Sequence, residues 1–507
     1  MVNRQDRVLL EAVAELAYQN PFLPGRIDLE KKALGSESVD VDSVWSRRAD
    51  FDVSTPNHTL ILKRLETLIE NSRSRLHQAS TQEVSLFGDA ALYLLYNRYS
   101  SPMADLIRDT SRMTQSVTFY DAFVQDLDGF FSADPRLVAD RPAPDHLFAS
   151  FFQIRRAFHM IFSYIVGVSM PAARLRAMVW QSVFTHDMRR YRRSLFGQMG
   201  DFTTLITGPS GTGKELVARA IGLSRFVPFD AVKKTFRADY RDVFFALNLT
   251  ALSPTLIESE LFGHRRGSFT GAVEDRTGWL EQCPALGTVF LDEIGEVEKS
   301  IQVKLLRVLQ HRTFQRLGET QERHFPGKII CATNRDLFRE MEAGQFRHDL
   351  YYRLCADIVQ TPSLREQLDD REDELANLVT FISRRVAGDE ESEVLSREVV
   401  TWVTEQLGTG YPWPGNVREL EQCVRNVLIR NEYNPPRRRT QSGVRTLVDR
   451  ITNGELSAEE LMTHYCTLVY SQTGSYVETA RKIGLDRRTV KSRVDHGLSE
   501  ALEGTSP

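Results

Sequence analysis

The stretch LITGPSGTGKELVARAIG, residues 205–222, restricts this chain more than any other. A short apolar run leads into Gly208-Pro209-Ser210-Gly211-Thr212-Gly213-Lys214, and a helical pattern follows at once. Glycines in such a loop let successive backbone N–H groups turn toward phosphate oxygens. The lysine neutralises β/γ charge, and the helix N-terminus adds its dipole. A strand–loop–helix of this type is a phosphate-binding loop. One departure concerns the metal. Glu215 follows the lysine where Ser or Thr usually reaches Mg2+, so Mg2+ would depend on Thr212, water or a downstream acid.

That acid is present. GTVFLDEIGEV ends an apolar run in Asp292-Glu293: Asp292 can hold Mg2+ and Glu293 can polarise an attacking water. The runs TTLIT, VFFALN, GTVFLDE and KIICATN alternate with helical stretches, which predicts an α/β core around a buried parallel sheet. KIICATNRD ends in Thr333-Asn334, with Asn334 suited to sensing a γ-phosphate, and GQFRHDLYYRL offers Arg347 and Arg353. An arginine supplied by a neighbouring subunit stabilises transition-state charge; a surface salt bridge is the alternative use of these two.

The rest of the chain frames this core. Residues 1–160 read as helical, with Leu60, Leu65, Leu68 and Ile69 near helical spacing and a break at Ser80 and Thr81. No strand–helix alternation marks a phosphoacceptor receiver there. The apolar LFASFFQIRRAFHMIFSYIVG is interrupted by Arg155, Arg156 and His159, so a buried helix is expected rather than a membrane span. The net charge of −4, from 64 Lys+Arg against 68 Asp+Glu, gives no general nucleic-acid signal, so any basic surface must be local. The five cysteines are scattered without a C-x-x-C pair, suggesting neither zinc nor disulfides. The N-terminus carries acids within its apolar run and does not read as a signal peptide. A cytoplasmic protein is expected.

In order along the chain stand GPSGTGKELVARAI, ALNLTAL, LIESELFGHRRGSFTGA, GTVFLDEIGEV, ATNRDL, FRHDLYYRL and YPWPGNVREL. Together they resemble the AAA+ domain of bacterial enhancer-binding proteins, the ATPases that activate the sigma-54 form of RNA polymerase. The resemblance covers about 165–430 and the C-terminal unit, not the first 160 residues. It implies ATP and Mg2+ as cofactors, a hexameric ring, and a role for Asn248 in holding Glu293 aside until the γ-phosphate arrives. Arg418 resembles the lid arginine that reads the nucleotide, and Glu215 is the family's residue after the lysine. The element Gly267-Ser268-Phe269-Thr270-Gly271-Ala272 resembles the loop that touches sigma-54, with Ser268 in place of the usual Ala. An exposed Phe contributes nothing to hydrolysis, so a partner surface is its expected use. Two stretches, 180–201 and 226–242, look longer than the family norm, and the sequence suggests no use for them beyond contacts with the N-terminal region or a neighbouring subunit.

In the C-terminal unit, Ser457 with Glu460 and Ser475 with Glu478 form capping-box patterns. Ala480, Ile483, Leu485 and Val490 have helix-turn-helix spacing around Gly484. The second helix would turn Arg487, Arg488, Thr489, Lys491, Ser492 and Arg493 outward toward a major groove. This unit resembles the Fis-type DNA-binding module. The expected organisation is an all-α N-terminal regulatory or sensory domain (1–160), an AAA+ α/β P-loop NTPase core (161–365) with helical lid (366–432), a linker (433–454) and a three-helix helix-turn-helix (455–498). The expected partners are the sigma-54 RNA polymerase holoenzyme, double-stranded DNA at an upstream activating site and further copies of the chain, with no membrane. Two rivals are an AAA+ remodeller of another DNA or protein substrate, and a non-catalytic DNA-binding regulator.

Overall fold

The computed structural model describes residues 4–39, 55–109, 116–241, 243–435 and 456–503, with Ile451 and Gly454 between the last two. The chain divides into two compact units, Met1–Glu432 and Tyr433–Pro507. Most of the expected 433–454 linker lies outside the described residues.

The first part of the larger unit is helical for reasons visible in its caps. Thr55 accepts the His58 amide and Pro56 opens the Pro56–Ser72 helix, a position where its missing N–H is no loss. Ser80 and Glu83 form a reciprocal capping box that starts Thr81–Arg108. Ile61, Leu65, Leu68 and Ile69 face inward, the 3.6-residue pattern of a helix with one buried stripe. The Pro144–Tyr164 helix is buried on nearly every face, including Arg155 and Arg156. No described helix is long and apolar enough to cross a membrane.

The Pro144–Tyr164 helix runs across the boundary expected at 160/161. Its Phe148 and Phe152 meet Phe229 and Phe236 of the far side at ring distances of 4.7 and 4.2 Å. Phe229 and Phe236 belong to a two-stranded antiparallel ribbon, Phe229–Asp230 with Thr235–Phe236, so the long stretch 226–242 contains a hairpin, residues 229–236, set against the N-terminal helices. Its Lys234 carbonyl accepts the Val117 amide at 2.8 Å. The other long stretch, 180–201, has the same use: Arg189 pairs with Asp89 at 2.8 Å and lies over the Tyr18 ring. The Tyr191 hydroxyl donates to Gln153 at 2.9 Å. One apolar core therefore joins residues of 9–160 to Leu223, Phe226, Val227, Phe229, Phe236 and Tyr240.

Five parallel strands follow, ordered Asp357–Gln360, Thr204–Thr207, Lys328–Thr333, Thr288–Asp292, Phe244–Asn248. Val289, Phe290, Leu291, Ile329, Ile330 and Cys331 are fully buried, as a sheet covered on both faces requires. The lid helices Leu364–Asp370, Glu374–Ala387, Ser392–Gln406 and Asn416–Arg430 complete the unit. The first begins with a Ser363/Glu366 capping box, which sets its start two residues before the expected 366. Glu374 fastens the lid by accepting the Val168 amide at 2.6 Å and the Ser169 hydroxyl at 2.9 Å.

The smaller unit has helices Ala458–Thr473, Tyr476–Ile483 and Arg487–Glu503 around Cys466, Ala480, Val490 and Val494. Gly484 takes φ +72° at the turn, a conformation glycine adopts without strain. All five cysteines are free thiols.

Candidate nucleotide-binding site

The sheet brings its polar strand ends to one edge, where parallel α/β sheets bind ligands. Thr207 opens the phosphate loop, Asn248 is in register with Asp292, and the Thr361 amide donates to the Thr207 carbonyl at 2.8 Å. Two glycines of the loop are obligatory. At Gly208, φ +144°, a β-carbon would lie 2.1 Å from the Thr361 hydroxyl and 2.7 Å from its carbonyl oxygen. At Gly211, φ +79°, it would lie 2.2 Å from the Gly415 carbonyl.

Lys214 is buried, and its Nζ donates to the carbonyls of Gly208 and Pro209, both at 3.1 Å. Burial lowers its pKa, while Glu293 and Asp292 act in the opposite sense. The Thr212 hydroxyl donates to Pro209 at 2.9 Å and shares a hydrogen bond with Thr361 at 2.7 Å. It is thus engaged within the loop and with the residue that follows the edge strand.

Asp292 is half-buried, and burial first, then the neighbouring Glu293, raises its pKa. The Glu293 amide donates to Asp292 Oδ1 at 3.0 Å. Glu293 itself takes left-handed backbone angles, φ +58° and ψ +46°, a conformation that side-chain-bearing residues hold only where surrounding structure imposes it. Its carboxylate accepts the Asn334 amide at 3.4 Å. Asn248 does not restrain it here. The Asn248 carboxamide oxygen instead accepts the Thr250 amide at 2.9 Å and hydroxyl at 2.7 Å. That local turn occupies the carboxamide oxygen without Glu293.

The lid closes on the loop through two residues. Asn416 donates to the Ser210 carbonyl and accepts the Leu364 amide, both at 2.9 Å. Arg418 reaches the Ser210 hydroxyl at 3.4 Å, and its amide donates to Gly211 at 3.2 Å. Thr361 and Asn416 were not singled out in the sequence. The one available signal was Asn416 after Gly415 in PGNVREL, since Asn tolerates the left-handed region and Asn416 has φ +54°.

Arg347 is exposed and holds Asp349 with two hydrogen bonds, at 3.0 and 2.6 Å. Within one chain it serves the salt bridge named as the alternative. Arg353 is exposed and has no hydrogen-bond or ion-pair partner among the described residues.

The loop of residues 267–272 rises from the antiparallel pair Gly263–His264 and Arg276–Thr277. Gly267 donates to the Ala272 carbonyl at 2.8 Å, and Ala272 donates to Phe269 at 3.0 Å, closing a turn. Thr270 and Gly271 are exposed. Phe269 is not the fully exposed side chain expected: it is half-buried, edge-on to His264 at 4.9 Å. Ser268 packs against Gly318 of the neighbouring hairpin, and its Oγ is buried without a hydrogen-bond partner. Ser268→Ala is therefore expected to stabilise the protein by about 1 kcal/mol, because it removes an unsatisfied buried hydroxyl. A urea-denaturation midpoint checks this, and a lowered midpoint would contradict the packing.

In the smaller unit Asp486 caps the Arg487–Glu503 helix by accepting the Arg488 and Thr489 amides, both at 2.9 Å. Arg487, Arg488, Lys491 and Ser492 are exposed. Thr489 is half-buried and donates its hydroxyl to Asp486. Arg493 is half-buried and paired with Glu459 at 2.8 Å, so it does not face outward with the others. Ser457 makes both halves of its capping box, whereas Ser475 accepts the Glu478 amide alone.

Residues 183–359 match the family model described as the Sigma-54 interaction domain, an AAA+ ATPase module. The Nif-specific regulatory protein of Azotobacter vinelandii is 45% identical over 230 residues, covering 45% of this chain and 40% of that protein. The transcriptional regulatory protein ZraR of Salmonella typhimurium is 38% identical over 301 residues, covering 58% and 63%. The regulatory protein LuxO of Vibrio cholerae is 43% identical over 227 residues, covering 45% and 46%. The chain thus spans less than two thirds of the length of these relatives. A crystal structure of NtrX from Brucella abortus in complex with ATP aligns with TM-score 0.40 at 22% identity, over 76% of this chain and 81% of that one.

Proposed function

We propose that this chain, whose central domain belongs to the family of sigma-54-dependent transcriptional activators, hydrolyses ATP in a cytoplasmic ring, a hexamer in the family pattern. The product of that work is a remodelled closed complex of the sigma-54 RNA polymerase holoenzyme. One observation carries the reading. Lys214, the adjacent Asp292 and Glu293, Asn334 and Arg418 come from four separate elements and gather at one edge of a parallel sheet, around a loop in which Gly208 and Gly211 cannot be replaced.

In this reading the Gly208–Lys214 backbone cradles the ATP phosphates, and Lys214 exchanges its two loop carbonyls for phosphate oxygens. Glu293 takes a proton from the attacking water, and Asn334 holds the Glu293 carboxylate in place. Arg418 reads the phosphates from the lid. Arg353 is free to reach a neighbouring protomer's site, and Arg347 would have to release Asp349 to join it. The donor set fits Mg2+, which keeps several waters and takes one or two carboxylates with phosphate oxygens; Asp292 would hold it. When bound, the ion would offset the phosphate charge.

The loop with Phe269 and Thr270 would contact sigma-54, with Phe269 leaving His264 to do so. Arg487, Arg488, Lys491 and Ser492 would face double-stranded DNA at an upstream activating site. Thr489 and Arg493, already engaged within the unit, would support that helix. Thr270→Ala is expected to abolish transcription activation by the purified protein while leaving phosphate release near the wild-type rate, because Thr270 is exposed and remote from Lys214 in the chain. Full activation by that variant would send the reading toward a remodeller of some other substrate.

A further inference from the structure

Helices near the N-terminus line an open cleft of about 800 Å3 that the nucleotide chemistry does not use. It lies among the first turns of Arg4–Leu16, the end of Gly25–Leu34, the Pro56–Ser72 helix and the start of Thr81–Arg108. The volume is that of sites for small organic ligands. Its buried lining is apolar: Leu9, Leu34, Leu68, Leu76 and Phe87. Its exposed lining is cationic. Arg4, Lys63 and Arg75 are exposed, and none has a hydrogen-bond or ion-pair partner among the described residues.

The remaining charges of the lining, Asp6, Lys32, Glu37, Arg64 and Glu83, are already engaged, and they leave the lining net positive. Lys32 pairs with Glu15 at 3.1 Å, Arg64 pairs with Glu37, and Glu83 accepts the Ser80 amide at 2.8 Å within its cap. The surplus available to a guest is therefore positive. A cleft with an apolar floor and uncommitted cations at its edge discriminates against cations and against uniformly polar molecules. It suits a molecule that can bury hydrocarbon while its charged end stays at the rim.

We propose that this cleft binds a small organic amphiphile with an apolar body and an anionic head, carboxylate or phosphate. Occupancy would be felt beyond the cleft. Phe87 lies on the same helix as Asp89, whose carboxylate accepts the Tyr18 hydroxyl at 2.8 Å and pairs with Arg189. The guest would thus sit within one helical turn of the contact that ties the N-terminal helices to the stretch 180–201.

Isothermal titration of the full chain with decanoate, decyl phosphate and decanol tests this. At least one of the two anions should bind saturably, and decanol at least about tenfold more weakly. Which anion binds identifies the head group. The double variant Lys63→Glu/Arg75→Glu, both at exposed positions, should keep the wild-type Tm and weaken the anion by about tenfold or more. Binding of neither anion, equal binding of decanol, or an unaffected double variant would each overturn the proposal.

Discussion

A chain that begins at Pro144 is expected to lose its fold rather than its regulation. The helices before that point cover an aromatic face that continues without a break into the nucleotide module. Tyr120 lies 4.7 Å from Phe229, and Phe123 lies 5.1 Å from Phe148. Behind them, Phe148, Phe152, Phe229, Phe236 and Tyr240 are all buried. An aromatic side chain buries about 150–250 Å2. Uncovering half of five such residues, at about 25 cal/mol per Å2, costs on the order of 10 kcal/mol, comparable with the whole stability of a typical domain. The truncated product should therefore accumulate as aggregate or melt far below the full chain. A milder probe separates packing from handling. Phe236→Ala should cost about 3–5 kcal/mol and lower the melting temperature of the nucleotide module together with that of the N-terminal helices. A soluble 144–507 protein with an undiminished melting temperature would refute the continuous core.

The same seam shows what sequence alone could and could not convey. The strands of the sheet and the phosphate loop were legible because each is a local pattern: an apolar run, a turn rich in glycine, then helical spacing. The partner of the 229–236 hairpin was not. The hairpin's Phe229 and Phe236 are explained by Phe148 and Phe152, about eighty residues away, and no local period records such a partner. The partner of Arg156 was hidden in the same way. The charge of Arg156 argues against a membrane span and a buried helix is expected, but nothing local shows that Arg156 itself is fully buried beneath the Tyr240 ring, where burial pushes its pKa down to about 10. Arg493 reads as one more outward cation until Glu459, on another helix, claims it. Phe269 reads as exposed until His264 is seen beside it. In each case residue type was informative about chemistry and silent about which distant neighbour would satisfy it.

Glu293→Gln is expected to lower steady-state phosphate release by about 100-fold or more while leaving ATP binding intact. General-base contributions of ~10²–10⁴-fold set that scale. The substitution is chosen for its backbone. Glu293 sits at φ +58°, and Gln meets that conformation with the same side-chain length and no new strain. The Asn334 amide, 3.4 Å from the carboxylate, can donate equally to a carboxamide oxygen, so the group keeps its place and loses only its capacity to take a proton. The division of labour with Asp292 makes the outcome diagnostic. Burial and the Glu293 charge both raise the Asp292 pKa. Removing the Glu293 charge should therefore ease ionisation of Asp292 and preserve or strengthen its hold on a cation. Titration with a fluorescent ATP analogue in the presence of Mg2+ should then show affinity equal to or above wild type, against a turnover close to background. If turnover in the variant matched wild type, Glu293 would not be the base; if wild type itself turned over no ATP, the chain would be a nucleotide-binding regulator without hydrolysis.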